Sequence, residues 1–492
     1  MKREKILGGY RMWIWFILIS ILISLLVMLF SDSLQIKRNM SADAPLDEFK
    51  AHMDERIPDL MKQYGIPGCN IGLVKDDEVV WTEAYGYADV ASGRELTVNT
   101  PMSVQSITKS VTAWGVMRLV EKGLIDLDAP VSQYLKSWRF PQSDYPTEKI
   151  TTRQLLSHTA GMPLGDFTNV YSPGETMPSN RDVMTGEAAL AHEAGTGFSY
   201  SNTGYNLLEI LIEDVTEQSF SEYIRTEIFL PLGMESAAFD IDTTATPYPP
   251  TGYNLDGRPV PVYLYPSKAS GGLFATAHDI ARFAAVGMKE NSVLSGESIK
   301  LLYAPQSHKI GIYGLIFEAY GFGHYIEKLP NGALSVSHGG QGNGIMTHFQ
   351  TVPETGDAIV ILTNSQRSWP FIAYVLSDWA QWRAFPSVGM GRIIWGHYGL
   401  CAVIGMLISA SLLMVLSLVL IFYQQKRTSF RLLRVGAASI LFGILIWCAC
   451  QKYLFISSVF PILSIWMGDA IFLFSIVLLI SAVVPVAERG NK

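Results

Sequence analysis

The chain has 492 residues, 49% of them hydrophobic and 16% charged, with a net charge of −7 at pH 7. So little charge, with a positive mean hydropathy, predicts membrane segments joined to a globular part. The mildly acidic balance and the lack of a long basic block argue against nucleic acid as a partner.

In chain order, Lys2, Arg3, Lys5 and Arg11 precede a charge-free apolar run from Met12 to Phe30, long enough to cross a bilayer. A cleaved signal peptide competes with this reading. The length of the run, its Trp and Leu content and the want of a clear small-x-small site favour an uncleaved anchor over residues 12–30, with 1–11 in the cytoplasm. Next, Asn70–Val74 and Val79–Tyr87 read as strands joined by a Lys-Asp-Asp-Glu turn, a hairpin.

Ser106-Ile-Thr-Lys109 opens a run in which Ile107, Val111, Trp114 and Met117 recur at helical spacing, with Gly123 as the stop. Residues three apart share a helix face, so Ser106 and Lys109 lie side by side. At a helix start, unpaired N–H groups favour negative charge on a nucleophile or oxyanion. Desolvation lowers a lysine pKa and makes Lys109 a candidate neutral base. Tyr200-Ser201-Asn202 sits in a polar, Gly-bounded loop before an apolar helix, Tyr205–Val215. A phenolate beside a lysine ammonium is a competent base, and the Asn202 amide is able to hold Lys109 or a substrate carbonyl.

Thr243–Pro250 is a Thr/Pro-rich loop. Ala333–Ser337 reads as a strand followed by His338-Gly339-Gly340. Glycines there let a substrate backbone approach the strand edge. The Gln341 N–H is positioned to form an oxyanion hole with that of Ser106, and His338 to meet a substrate carboxylate. Strands at Ile345–Val352 and Ala358–Thr363 and a helix at Trp369–Ala384 follow. The remaining histidines are scattered without metal-ligand spacing, so neither a metal nor an organic cofactor is expected.

These motifs, in this order, resemble the serine beta-lactamase-like superfamily, in its class C and penicillin-binding-protein-like branch, peptidase family S12. The resemblance covers Leu46–Ala384, and the segments Leu155-Leu-Ser-His-Thr-Ala-Gly161 and Ser270-Gly-Gly-Leu-Phe-Ala-Thr-Ala-His-Asp-Ile-Ala281 agree with it. It implies an α+β fold, a helix-flanked antiparallel sheet with an inserted all-α subdomain, and the site between them. It also implies that Ser106 is the acylated nucleophile, Lys109 and Tyr200 the proton-transfer pair, and Asn202, His338, Gly339, Gly340 and Gln341 substrate-binding residues. His338-Gly-Gly340 stands where penicillin-recognising members carry Lys-Thr-Gly. Loss of that lysine favours peptidase or esterase activity over efficient beta-lactam hydrolysis.

Beyond Ser387 the chain turns apolar. Leu400–Tyr423, Leu432–Cys450 and Gly468–Val486 are expected spans, making 400–486 a membrane domain. Basic residues at the N-terminus, at Lys426, Arg427, Arg431 and Arg434, and at Arg489 and Lys492 mark the cytoplasmic side. Residues 46–384 are therefore expected outside a multi-pass cell-membrane protein. Cys69 is alone in that part and reads as a small buried apolar residue. The expected substrate is a small peptide, amide or ester with D-amino-acid character, from the cell wall or a secreted peptide precursor. The rival is a receptor that keeps a stable acyl adduct and signals through its spans.

Overall fold

The computed structural model describes residues 2–30, 40–424, 431–451 and 454–483. One compact unit comprises Met40–Arg392; the described residues on either side of it form a second.

The larger unit is built on an eight-stranded antiparallel sheet. Its strands are β1 (Gly68–Lys75), β2 (Glu78–Asp89), β3 (Arg94–Glu95), β4 (Ala319–Tyr320), β5 (Tyr325–Lys328), β6 (Leu334–Gly342), β7 (Ile345–Val352) and β8 (Asp357–Thr363). The spatial order is β3-β2-β1-β8-β7-β6-β5-β4, so the first hairpin closes against the last strand, with Ile71 opposite Ile361. The β1–β2 turn places Asp76 and Asp77 at φ 54° and 64°, the left-handed region that short-side-chain aspartates tolerate and tight hairpins require. β1 lies in the centre and is buried on both faces apart from Lys75, Cys69 included.

The first helix, α1 (Leu46–Tyr64), and the last, α5 (Trp369–Trp382), pack together. Phe49 stacks on Trp382 at 4.2 Å and Arg56 meets Asp378 at 3.1 Å. Between the sheet halves run α2 (Thr108–Glu121), α3 (Asn202–Thr216), α4 (Ala277–Val286) and shorter helices. Thr276 caps α4 through a reciprocal box with Asp279. A Cβ on Gly72 would meet Ala277 O at 2.7 Å, which explains why α4 lies so close to β1. α2 is buried along nearly its whole length, with Trp114 packed on Phe283 at 5.2 Å. This is the mixed helix and antiparallel-sheet architecture expected from the motifs.

One boundary differs from the sequence expectation. β6 does not end at Ser337 but runs through His338-Gly-Gly340 to Gly342. Pairing with Phe349, His348 and Thr347 of β7 holds the glycines extended, so tertiary hydrogen bonding overrides their weak strand preference.

Among the described residues three helices are long and apolar enough to cross a membrane: Gly389–Leu420, whose first residues belong to the larger unit, Arg431–Cys450 and Pro461–Val483. The expected third span, Gly468–Val486, begins seven residues too late, because the helix starts at Pro461 after a break at Phe460. Its last three residues, and Lys426, Arg427, Arg489 and Lys492, lie outside the described residues. The expected anchor falls in the helix Lys2–Phe30, in which Phe16–Phe30 is a shorter apolar helix.

Candidate active site

Ser106 sits in a single 3-10 turn, Gln105–Ile107, that leads directly into α2. Gln105 takes φ 52°, a left-handed conformation that costs a residue with a Cβ about 1–2 kcal/mol. Its side chain locks the turn: Nε2 donates to Ser103 Oγ at 2.8 Å and to Tyr263 OH at 3.2 Å, and Oε1 accepts from Tyr265 OH at 3.1 Å. Thr108 Oγ1 donates to Gln105 O at 2.6 Å. β6 packs flush against this turn. A Cβ on Gly340 would collide with Val104 O and Thr347 Oγ1, and one on Gly342 with the Gln105 side chain. Those two glycines therefore make room for the Ser106 turn; for Gly340 the sequence suggested room for a substrate backbone.

Lys109 is fully buried in the first turn of α2, three residues after Ser106. Its Nζ lies 3.1 Å from Ser106 Oγ, 2.7 Å from Asn202 Oδ1 and 2.7 Å from Ser270 O. Burial pushes its pKa well below the ordinary lysine range. A neutral amine has two N–H donors and one lone pair. Asn202 Oδ1 and Ser270 O can only accept, so they take the two N–H groups. The lone pair is then aimed at Ser106, the one partner with a proton to give.

Tyr200 ends a loop on the other side of Ser106. Its ring lies 5.0 Å from Lys109 Nζ, with the Ser106 side chain beside its hydroxyl. Burial raises the phenol pKa, and the Tyr313 hydroxyl raises it further. Burial thus disfavours both the ammonium and the phenolate, which supports the neutral-base reading of Lys109 over the phenolate–ammonium alternative that the sequence also offered. Asn202 opens α3, capped by Ser201, whose Oγ accepts from Gly204 N at 2.8 Å. The sequence argument assigned no role to His158. It is buried at φ 58°, accepts the Ser201 N–H at 3.1 Å on Nδ1, and packs 4.4 Å from the Tyr200 ring. Its only sequence signal is its place in the Leu155–Gly161 segment.

His338 is also buried. Its Nδ1 lies 2.7 Å from Gly339 O, which can only accept, so Nδ1 carries the proton and Nε2 accepts from Tyr320 OH at 3.1 Å. Desolvation, with Lys109 nearby, keeps it uncharged at neutral pH. β6 pairs with β5 only from Leu334 to Ser337, whereas its pairing with β7 continues to Gly342. His338, Gly339, Gly340 and Gln341 therefore occupy the stretch of β6 beyond its β5 partner. The structure thus gathers Ser106, Lys109, Tyr200 and Asn202 at one point, with His338 6.4 Å from Tyr200 ring to ring.

The sequence signature of the beta-lactamase family matches residues 53–374, well over half of the chain. The chain belongs to the beta-lactamase family. Among its relatives in this family of serine hydrolases, Protein flp of Staphylococcus aureus is 32% identical over 202 residues, 40% of each chain. Penicillin-binding protein 4* of Bacillus subtilis is 25% identical over 326 residues, 61% of this chain and 68% of that protein. The match thus spans two fifths of the length of Protein flp. Among solved structures, the octameric penicillin-binding protein homologue from Pyrococcus abyssi superposes with a TM-score of 0.57 at 27% identity, covering 67% of this chain and 77% of that one. The fold of SurE is shared at a TM-score of 0.55 and 24% identity over 67% of this chain and 75% of that one.

Proposed function

We propose that this member of the beta-lactamase family is a membrane-anchored serine hydrolase of the S12 type that works outside the cytoplasm. The observation that carries the reading is the three-way bonding of Lys109 Nζ to Ser106, Asn202 and Ser270. Ser106 Oγ attacks a carbonyl carbon while its proton passes to the Lys109–Tyr200 pair, Lys109 first. The same pair returns the proton to the departing amine or alcohol, leaving an acyl-enzyme that water hydrolyses. The backbone N–H groups of Ser106 and Gln341 stabilise the tetrahedral oxyanion.

The substrate class is a peptide amide or ester with D-amino-acid character. Likeness to penicillin-binding proteins supports this. The neutral, internally bonded His338 supports peptidase or esterase action over beta-lactam hydrolysis, because no cation faces a lactam carboxylate from that position. Three long apolar helices and the basic N-terminus support the membrane placement.

The test is intact mass after incubation with beta-lactams, D-Ala-D-Ala peptides and acyl-D-amino-acid amides, beside the Ser106→Ala variant. A transient mass gain on Ser106 with product release is expected. A stable adduct without turnover would instead mark a receptor, and identical behaviour of the two proteins towards every probe would sink the hydrolase reading.

A further inference from the structure

We propose that Glu209 is a positioning residue for the Lys109 amine, acting through the backbone that presents the Ser270 carbonyl. The inference rests on the reading above, in which Lys109 accepts the Ser106 proton.

Glu209 lies on α3 seven residues after Asn202. Seven residues are close to two helical turns, so the two side chains share a face. Glu209 is buried, and its Oε2 accepts from Lys268 N at 2.6 Å and Ala269 N at 2.8 Å. The carbonyl one residue further along that segment, Ser270 O, is the one that accepts from Lys109 Nζ at 2.7 Å. One helix therefore controls both accept-only partners of the amine: Asn202 Oδ1 directly, Ser270 O at one remove.

The segment is held on its other side by α2. Thr112 Oγ1 donates to Ala269 O at 2.8 Å, and Thr108 Oγ1 accepts from Leu273 N at 3.2 Å. Gly272 N donates to Lys268 O at 2.9 Å, and a Cβ on Gly272 would come within 2.9 Å of Lys268 Cα, so the turn closes tightly on itself. The Lys268 ammonium is directed away, to Asp240 Oδ1 at 2.8 Å and Ser221 Oγ at 2.9 Å. The hydrogen bonds that the Glu209 carboxyl accepts thus come from two backbone amides and not from a side-chain cation. A buried carboxyl group is costly where packing alone is needed. Here it is explained by the two amides it orients. Burial lifts its pKa to about 7 against the pull of those amides, with Glu213 raising it and Lys268 lowering it.

The experiment uses the full chain in detergent and follows acylation of Ser106 by a p-nitrophenyl ester in stopped flow, with melting curves for every variant. Glu209→Ala is expected to slow acylation about 10- to 100-fold with little change in KM, a loss of aim at the proton acceptor. The acid limb of its pH–rate profile, set by Lys109, should move. Glu209→Gln keeps a carbonyl oxygen for the two amides and should stay within about threefold of wild type. Glu209→Asp keeps a carboxyl but draws it back by one methylene; it should be slow, and it serves if the alanine variant does not fold. Wild-type acylation rates and an unmoved acid limb in the alanine or aspartate variant overturn the proposal. So does a crystal structure of either variant in which Ser270 O still sits at hydrogen-bond distance from Lys109 Nζ, whatever the activity. A wild-type chain that no probe acylates strikes at the hydrolase reading itself and takes this inference with it.

Discussion

Ser106 has two unlike flanks. On one side Lys109 is wholly buried in a helix and bonded to three oxygens from three elements. On the other, Tyr200 is half-buried at the end of a loop and held chiefly by rings, His158 at 4.4 Å and Tyr313 at 5.4 Å. On the proposed function, the difference separates two jobs. A proton acceptor needs a fixed direction and a dry surrounding, which a packed helix supplies. A group that meets the changing shape of a substrate sits better on a loop backed by aromatic faces.

The largest effect that would break this comparison is at the serine itself. Ser106→Ala should abolish the acyl adduct in intact mass, leaving both flanks without a target. Next, Lys109→Met should lower the acylation rate about 10²–10⁴-fold, the usual range for a general base, with KM little changed. In the wild type the amine must be neutral to accept a proton. Its pKa is depressed by burial, so the rate should rise with pH through a midpoint well below the ordinary lysine range. A midpoint near that of a free lysine would contradict the burial argument. Tyr200→Phe keeps the ring stack and removes only the hydroxyl. It should cost about 10²-fold or less, measured on the same ester. A larger loss than in Lys109→Met would reverse the assignment of the two flanks.

Smaller effects sharpen the picture at β6. Gly340→Ala drives a methyl group into Val104 O and Thr347 Oγ1 and should destabilise the protein by about 1–3 kcal/mol, the usual cost of overpacking. Thermal melting of the purified chain measures it. His338→Lys places a cation where a neutral ring now sits. It should speed acylation by benzylpenicillin about tenfold, the worth of a hydrogen bond to a charged group; an unchanged rate would show that this position does not meet the lactam carboxylate. Stability should fall in acid. His158 and His338 both have folded pKa values depressed below the ordinary 6.5 by burial. The unfolded chain therefore binds more protons, and the stability these neutral rings contribute is present above that value and lost as pH falls through their folded pKa values.

Much of the sheet could be read from the chain. The hairpin at Asp76-Asp77, the strands Ile345–Val352 and Ala358–Thr363 and the α2 helix announce themselves by period and turn chemistry. β6 was read only as far as Ser337, because glycines are poor strand formers and only the β7 ladder shows that they extend it. The spacing of Ser106 and Lys109 followed from helical geometry alone. Ser270 O, Gln105 and His158 carry no motif that names their part: one acts through its backbone, one through a left-handed φ, one through an amide of the neighbouring loop.

By itself the sequence determined what is local or compositional. Apolar runs long enough to span a bilayer, the order of three short motifs and the side-by-side setting of a serine and a lysine all follow from residue type and spacing. The tertiary structure decided the direction of the pKa shifts and the oxygens that surround the amine. Those depend on desolvation and on which oxygens reach Lys109 from 93 and 161 residues away. Contacts so distant in the chain, and a dielectric set by everything packed around them, have no representation in spacing.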